Sequence, residues 1–212
     1  MVRHHTLPLL LLALVAAALV VSGISPTDRL TWWLEALPVL IALPLLTLTA
    51  QRFPLTNLLY VLIAFHALVL LLGAHYTYAR VPLGDWVRDT FGLMRNPYDR
   101  LGHLVQGFVP AIIAREILLR KSPLQRGGWL FFIVSSICLA FSACFELFEW
   151  LIAVIGGGSA DAYLATQGDV WDTQWDMFCA LCGSVIAQLT LASFHDRALA
   201  RLGKERESVR GR

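Results

Sequence analysis

Apolar residues run along this chain in six long blocks, each broken by a short polar stretch or one marked by Pro or Gly. A helix that crosses the hydrocarbon of a bilayer needs about 20 mostly apolar residues, and inside lipid a helix satisfies its own backbone polar groups. The pattern therefore predicts transmembrane helices at 7–24, 32–50, 54–74, 98–119, 129–155 and 174–194. Pro38 and Pro44 fall inside the second block and predict a kink there. The longest connection, His75 to Pro97, holds Pro82, Gly84 and a short amphipathic piece around Asp85 to Met94. Gly156-Gly157-Gly158 and a polar loop ending in Asp169 join the last two blocks.

Composition carries the same message. Of 212 residues, 57% are hydrophobic and only 15% charged, against about a quarter charged in soluble domains. Six spans and their loops use nearly the whole length. The expectation is an all-α polytopic bundle forming one membrane domain over 1–212, with a basic, solvated tail at 195–212. Its surroundings are membrane lipids, and no nucleic-acid partner is expected. Arg3, the apolar run after it and Val21-Ser22-Gly23 also have the outline of a cleavable signal peptide; an uncleaved signal anchor is the expectation for a chain with this many spans.

Basic residues set the expected orientation. Placing the N-terminus, the second and fourth connections and the tail on one side gathers twelve of the seventeen Lys and Arg there, leaving Arg29, Arg80, Arg88, Arg95 and Arg100 opposite. The basic side should be cytoplasmic, with both termini inside. Acids divide the other way: eleven of the fifteen fall on the outer half. Acids contribute little to topology, so that asymmetry needs another cause.

Three segments concentrate the unusual residues: Asn96 to His103, Glu146 to Trp150, and Gly168 to Asp176. Asp99 and His103 are four apart, hence on one helix face, and Gln106 and Gly107 continue near that stripe. Glu146 and Glu149 are three apart; Asp169, Asp172 and Asp176 form a similar stripe. At 1.5 Å per residue, the alternating helix directions bring all three segments to the outer third of the membrane. Ionisable groups there are costly unless paired, hydrated or bound to a cation. Arg95 or Arg100 can neutralise one or two acids, and a deficit remains.

Carboxylates with one imidazole suit Mg, Mn or Ca and accept Zn. The candidate metal ligands are Asp99, His103, Glu146, Glu149, Asp172 and Asp176, and the candidate catalytic groups are His103, Asp99 and Glu149. Other features read as structural. Cys138, Cys144, Cys179 and Cys182 sit in apolar blocks and are expected to pack as small hydrophobes. Trp150, Trp171, Trp175, Tyr98 and Tyr163 fit an interfacial aromatic belt. His66 reads as a packed helix residue, and Gly183 with Ser184 as a close helix contact.

The run N-x-Y-D-R-x-G-H-x-x-Q-G from Asn96, then F-E-x-x-E-W from Phe145, then G-D-x-W-D-x-Q-W-D-M from Gly168 resembles the YjdF family of bacterial inner-membrane proteins, over essentially the whole chain. The resemblance implies an inner-membrane location and carries no reaction with it. A fainter similarity is to VanZ-like membrane proteins, with Asp99, His103, Glu149, Asp172 or Asp176, and Gly183 as matching positions. The Arg and Asn usual in the later VanZ-type block are absent here.

Three functions compete. The first is a metal-dependent membrane enzyme acting on a lipid headgroup or lipid-linked phosphate at the outer face. The second is a cation- or proton-coupled transporter, weakened by the lack of an inverted repeat. The third is a non-catalytic assembly factor whose polar cluster locks helices or docks a partner.

Overall fold

A computed structural model of the chain describes residues 6–156 and 164–210. The seven helices among them are α1 (Thr6–Ser22), α2 (Arg29–Thr49), α3 (Asn57–Tyr76), α4 (Pro82–Phe91), α5 (Tyr98–Lys121), α6 (Gly128–Gly156) and α7 (Asp172–Arg210). No strand occurs among the described residues. Five of these helices (α2, α3, α5, α6 and most of α7) are long and apolar enough to cross a membrane; α1 is apolar but spans 17 residues. Of the sequence-based expectations, Gly157-Gly158, Tyr163 and Arg3 lie outside the described residues.

Local chemistry explains where helices begin. Asp28 caps α2 by accepting from the Thr31 backbone N–H at 2.7 Å. That contact holds the Asp28 carboxyl below its ordinary range. Thr56 caps α3, accepting from Leu59 N–H at 3.4 Å. α2 runs unbroken past Pro38 and Pro44. The connection after α3 folds into the short α4, which ends at Gly92 with φ 63°, a conformation that favours glycine.

Two apolar clusters share α3. Val15 of α1, Trp32, Ala36 and Val39 of α2, and Ala64, Ala67, Leu71 and Ala74 of α3 make one. Leu59, Ile112, Val134, Cys138 and Ala187 tie α3 to α5, α6 and α7 in the other. The most extensive helix contact is α5 against α7. Its closeness depends on two glycines: a Cβ on Gly107 would overlap the Ala180 carbonyl, and one on Gly183 would overlap the Leu104 carbonyl. In lipid, helices associate by such close packing, since hydrocarbon surroundings give no hydrophobic drive. Large apolar side chains cover the outside instead, Leu48 at 78% and Leu189 at 73% exposure among them.

Two expectations need correction. Tyr98 is buried rather than interfacial: its ring tilts against Tyr78 and its hydroxyl donates to the Val69 carbonyl at 2.9 Å. The last helix does not stop at Phe194. It continues to Arg210, and His195 is fully buried. The drop in hydropathy at that point marks where apolar residues end, whereas the helix continues because packing, here of buried His195, can carry it past its apolar stretch.

Candidate functional site

Three helices deliver acids to one end of the bundle. Asp99 and His103 lie a turn apart at the start of α5, Glu146 faces them from α6, and Asp172 and Asp176 occupy the first turns of α7. All five are buried. His103 Nε2 stands 3.8 Å from an Asp99 oxygen and 3.6 Å from Glu146 Oε1. Asp99, His103 and Asp176 each offer a ligand atom, all within 4.8 Å of one another. That spread suits a small cation at the centre, given ligand distances of about 2.0–2.6 Å. His103 Nδ1, Glu146 Oε1 and Asp176 Oδ1 are shut off from solvent and have no hydrogen-bond partner among the described residues.

Arg95 spans the mouth of this group. It pairs with Asp172, donates from Nη2 to Asp99 at 3.3 Å and to the Ala165 carbonyl at 3.3 Å, and reaches Asp169 at 3.6 Å. Burial disfavours its charge, but Asp172, Asp99 and Asp176 more than offset this and hold its pKa above the ordinary value. Arg100 binds Asp169 at 2.6 Å, with its guanidinium over the Trp175 ring. Asn96 locks the backbone beside Arg95. Its Nδ2 donates to Val81 O and Asp85 Oδ1, each at 3.0 Å, and its backbone exchanges two bonds with the Gln167 amide. Gly84 leaves the room this buried amide needs, since a Cβ there would overlap it.

Glu149, one turn beyond Glu146, is half-buried and has no arginine within ion-pair distance among the described residues. The charges it feels most are Glu146, Asp99, Asp176 and Glu35. Glu35, on α2, was not among the residues expected here. It is 4% exposed, neither oxygen has a hydrogen-bond partner among the described residues, and the acid whose charge it feels most is Asp99. Its one signal in sequence is a lone acid within an apolar block. Two arginines thus serve Asp99, Asp169 and Asp172, while Glu35, Glu146, Glu149 and Asp176 face no arginine within ion-pair distance among the described residues.

The opposite end of α5 and α7 carries a second buried network. Glu116 accepts from Thr56 Oγ1 at 2.9 Å and from Arg120 at 2.6 Å, and contacts His195 at 3.0 Å. Arg115 contacts His195 at 2.7 Å and Asp196 at 2.8 Å. Here the Glu116 carboxylate has basic partners and both ring nitrogens of His195 are engaged, so the network reads as a structural clamp.

A bundle coated in exposed apolar side chains, with its charged groups gathered into buried clusters near helix ends, defines a multi-pass integral membrane protein. The chain belongs to the family described as "Predicted membrane protein (DUF2238)", which it matches over residues 7–197. It is 52% identical over 185 residues to the "Inner membrane protein YjdF" of Escherichia coli (strain K12), covering 87% of this chain and 88% of that relative. No solved structure matches. The resemblance carried by the three motif blocks therefore holds, and the chain is a multi-pass protein of the bacterial inner membrane.

Proposed function

We propose that Asp99, His103 and Asp176 hold a divalent cation at the outer face of the inner membrane, and that the protein is a metal-dependent enzyme acting on a lipid headgroup or lipid-linked phosphate. One observation carries the reading: three buried ligand atoms within 4.8 Å of one another, beside Glu146 and Asp176 oxygens with no hydrogen-bond partner among the described residues. A cation lowers the pKa of a bound water into a useful range. Glu149, with no arginine within ion-pair distance among the described residues, would be the base for that water, while Glu146 and Asp172 would orient the ligands from outside. The donor chemistry favours Mg or Mn, with Ca and Zn next. In this reading six helices span, α1 included, both termini are cytoplasmic, and the site sits at headgroup depth.

The test is elemental analysis of protein purified without chelator, wild type against Asp176→Ala, together with turnover of lipid-linked phosphates in Mg or Mn. Stoichiometric metal lost in the variant supports the proposal. Absence of metal and of turnover in the wild type ends it.

A second reading, a cation- or proton-coupled carrier, draws on Ser142. Its hydroxyl is buried, one turn below Glu146, without a partner among the described residues. Beyond it, Ser184 and the hydrogen-bonded pair Gln188–Ser135 lead toward His195. Cation or proton flux into proteoliposomes, abolished by Glu146→Gln, distinguishes it from the enzyme.

A further inference from the structure

Beside the acid group, two buried donors have no acceptor among the described residues: Nε of Arg95 and Nε of Arg100. Both guanidiniums converge on a single atom, Asp169 Oδ2, 2.6 Å from Arg100 Nη2 and 3.6 Å from Arg95 Nη1. In a guanidinium, Nε–H and one Nη–H point the same way and form a fork that matches two oxygens of a carboxylate or phosphate. Asp169 satisfies Arg100 at Nη2 and leaves Nε empty.

The way Asp169 is delivered is also unusual. It follows Ala165 and Gln167, both at φ 50°, and Gly168 at φ 84°. Non-glycine residues at positive φ are uncommon and strained, and persist when surrounding contacts hold them. Here the Arg95 bond to Ala165 and the Gln167–Asn96 exchange hold them. A carboxylate is thus carried on a strained segment into a basic fork, next to acids that have too few cations.

We propose that Arg95 and Arg100 form a phosphate-binding subsite adjoining Asp99, His103 and Asp176, and that Asp169 occupies it when no phosphate is bound. For its part in turnover, this deepens the enzymatic reading above and rests on it; as a binding site it stands alone. One phosphate oxygen takes the place of Asp169 Oδ2 between Arg100 Nη2 and Arg95 Nη1, and a second reaches the unused Nε–H of Arg100 on the same edge. The ligand class is a phosphate monoester or diester anion, from a lipid headgroup or a soluble phosphate compound. Displacing Asp169 frees the 164–171 segment from Arg100.

The probe is inorganic phosphate, titrated against the full-length protein in phosphatidylcholine nanodiscs with chelator present, so that binding is read without a divalent cation. Asp169→Asn removes the internal competitor and is expected to bind phosphate about tenfold tighter than wild type, a shift of about 1.4 kcal/mol. Arg100→Gln is expected to abolish binding, and Arg100→Lys to weaken it. A gain of affinity cannot come from misfolding. If Asp169→Asn binds phosphate no more tightly than wild type, or does not bind it, the proposal is overturned. Repeating the titration with phosphatidic acid in the nanodisc separates the sources: competition with inorganic phosphate supports a headgroup in the fork, and phosphate binding without competition supports a soluble ligand. Metal found without phosphate binding sinks the subsite alone; phosphate binding without metal sinks the cation site alone.

Discussion

His195 Nε2 lies 3.0 Å from Glu116 Oε2, with both side chains fully buried where α7 crosses the end of α5. Arg115 is always a donor, so its 2.7 Å contact makes His195 Nδ1 an acceptor. The ring proton therefore sits on Nε2 and is donated to Glu116. Replacing His195 with Ala removes one donor from Glu116, which keeps Thr56 and Arg120, and one acceptor from Arg115, which keeps Asp196. Losing a buried hydrogen bond to a charged group costs about 1.5–3 kcal/mol, read as a drop in unfolding temperature in detergent.

The α5–α7 crossing yields a second outcome. Gly107→Ala and Gly183→Ala each push a methyl into a facing carbonyl and should destabilise by about 1–3 kcal/mol. Gly203, also helical, meets nothing within 4 Å, so Gly203→Ala should leave stability unchanged or raise it by up to about 1 kcal/mol. Denaturation of the three variants side by side checks the contrast.

Asp28 makes a pH-dependent contribution. Its carboxyl is held below the ordinary value by the Thr31 backbone N–H, so the capping energy is fully present above about pH 4. It is lost as pH falls through the lowered folded-state value. Asp28→Ala should cost about 1 kcal/mol at neutral pH. Asp28→Asn should keep most of the cap and remove this acid-range dependence, as measured by unfolding at several pH values.

Cation binding should appear as stability. With Mg or Mn at 100 times its dissociation constant, wild type gains about 2.7 kcal/mol. Asp176→Asn and His103→Ala should show little or no gain. A thermal scan with and without chelator reads the difference.

Much of the acid cluster was visible in the sequence because each helix contributes by its own spacing: Asp99 with His103, and Asp172 with Asp176, each four apart. Alternating helix direction then places Glu146 at the same end. Glu35 was hidden, since nothing local connects it to Asp99, 64 positions on; only packing of α2 on α3 turns it inward. Arg95 could be seen as a neutraliser of Asp99, but its bridge to Asp172 depends on how 164–171 folds back. His195 stood at the edge of the tail expected to be solvated, and Glu116, inside the span predicted at 98–119, carried no spacing that linked it to His195. Their burial follows from α7 outlasting its apolar stretch.

That length has a further consequence. Asp176, Gly183, Gln188 and His195 all ride on one uninterrupted rod, so the azimuth of each is locked to the others at about 100° per step. A single inserted residue between Gly183 and Gln188 would swing His195 away from Glu116 while leaving Asp176 in place, or do the reverse. Only one end could dock correctly. Three further insertions, completing roughly a turn, would return His195 to nearly its old azimuth but leave it about 6 Å further along the axis, so the two ends would still not dock together.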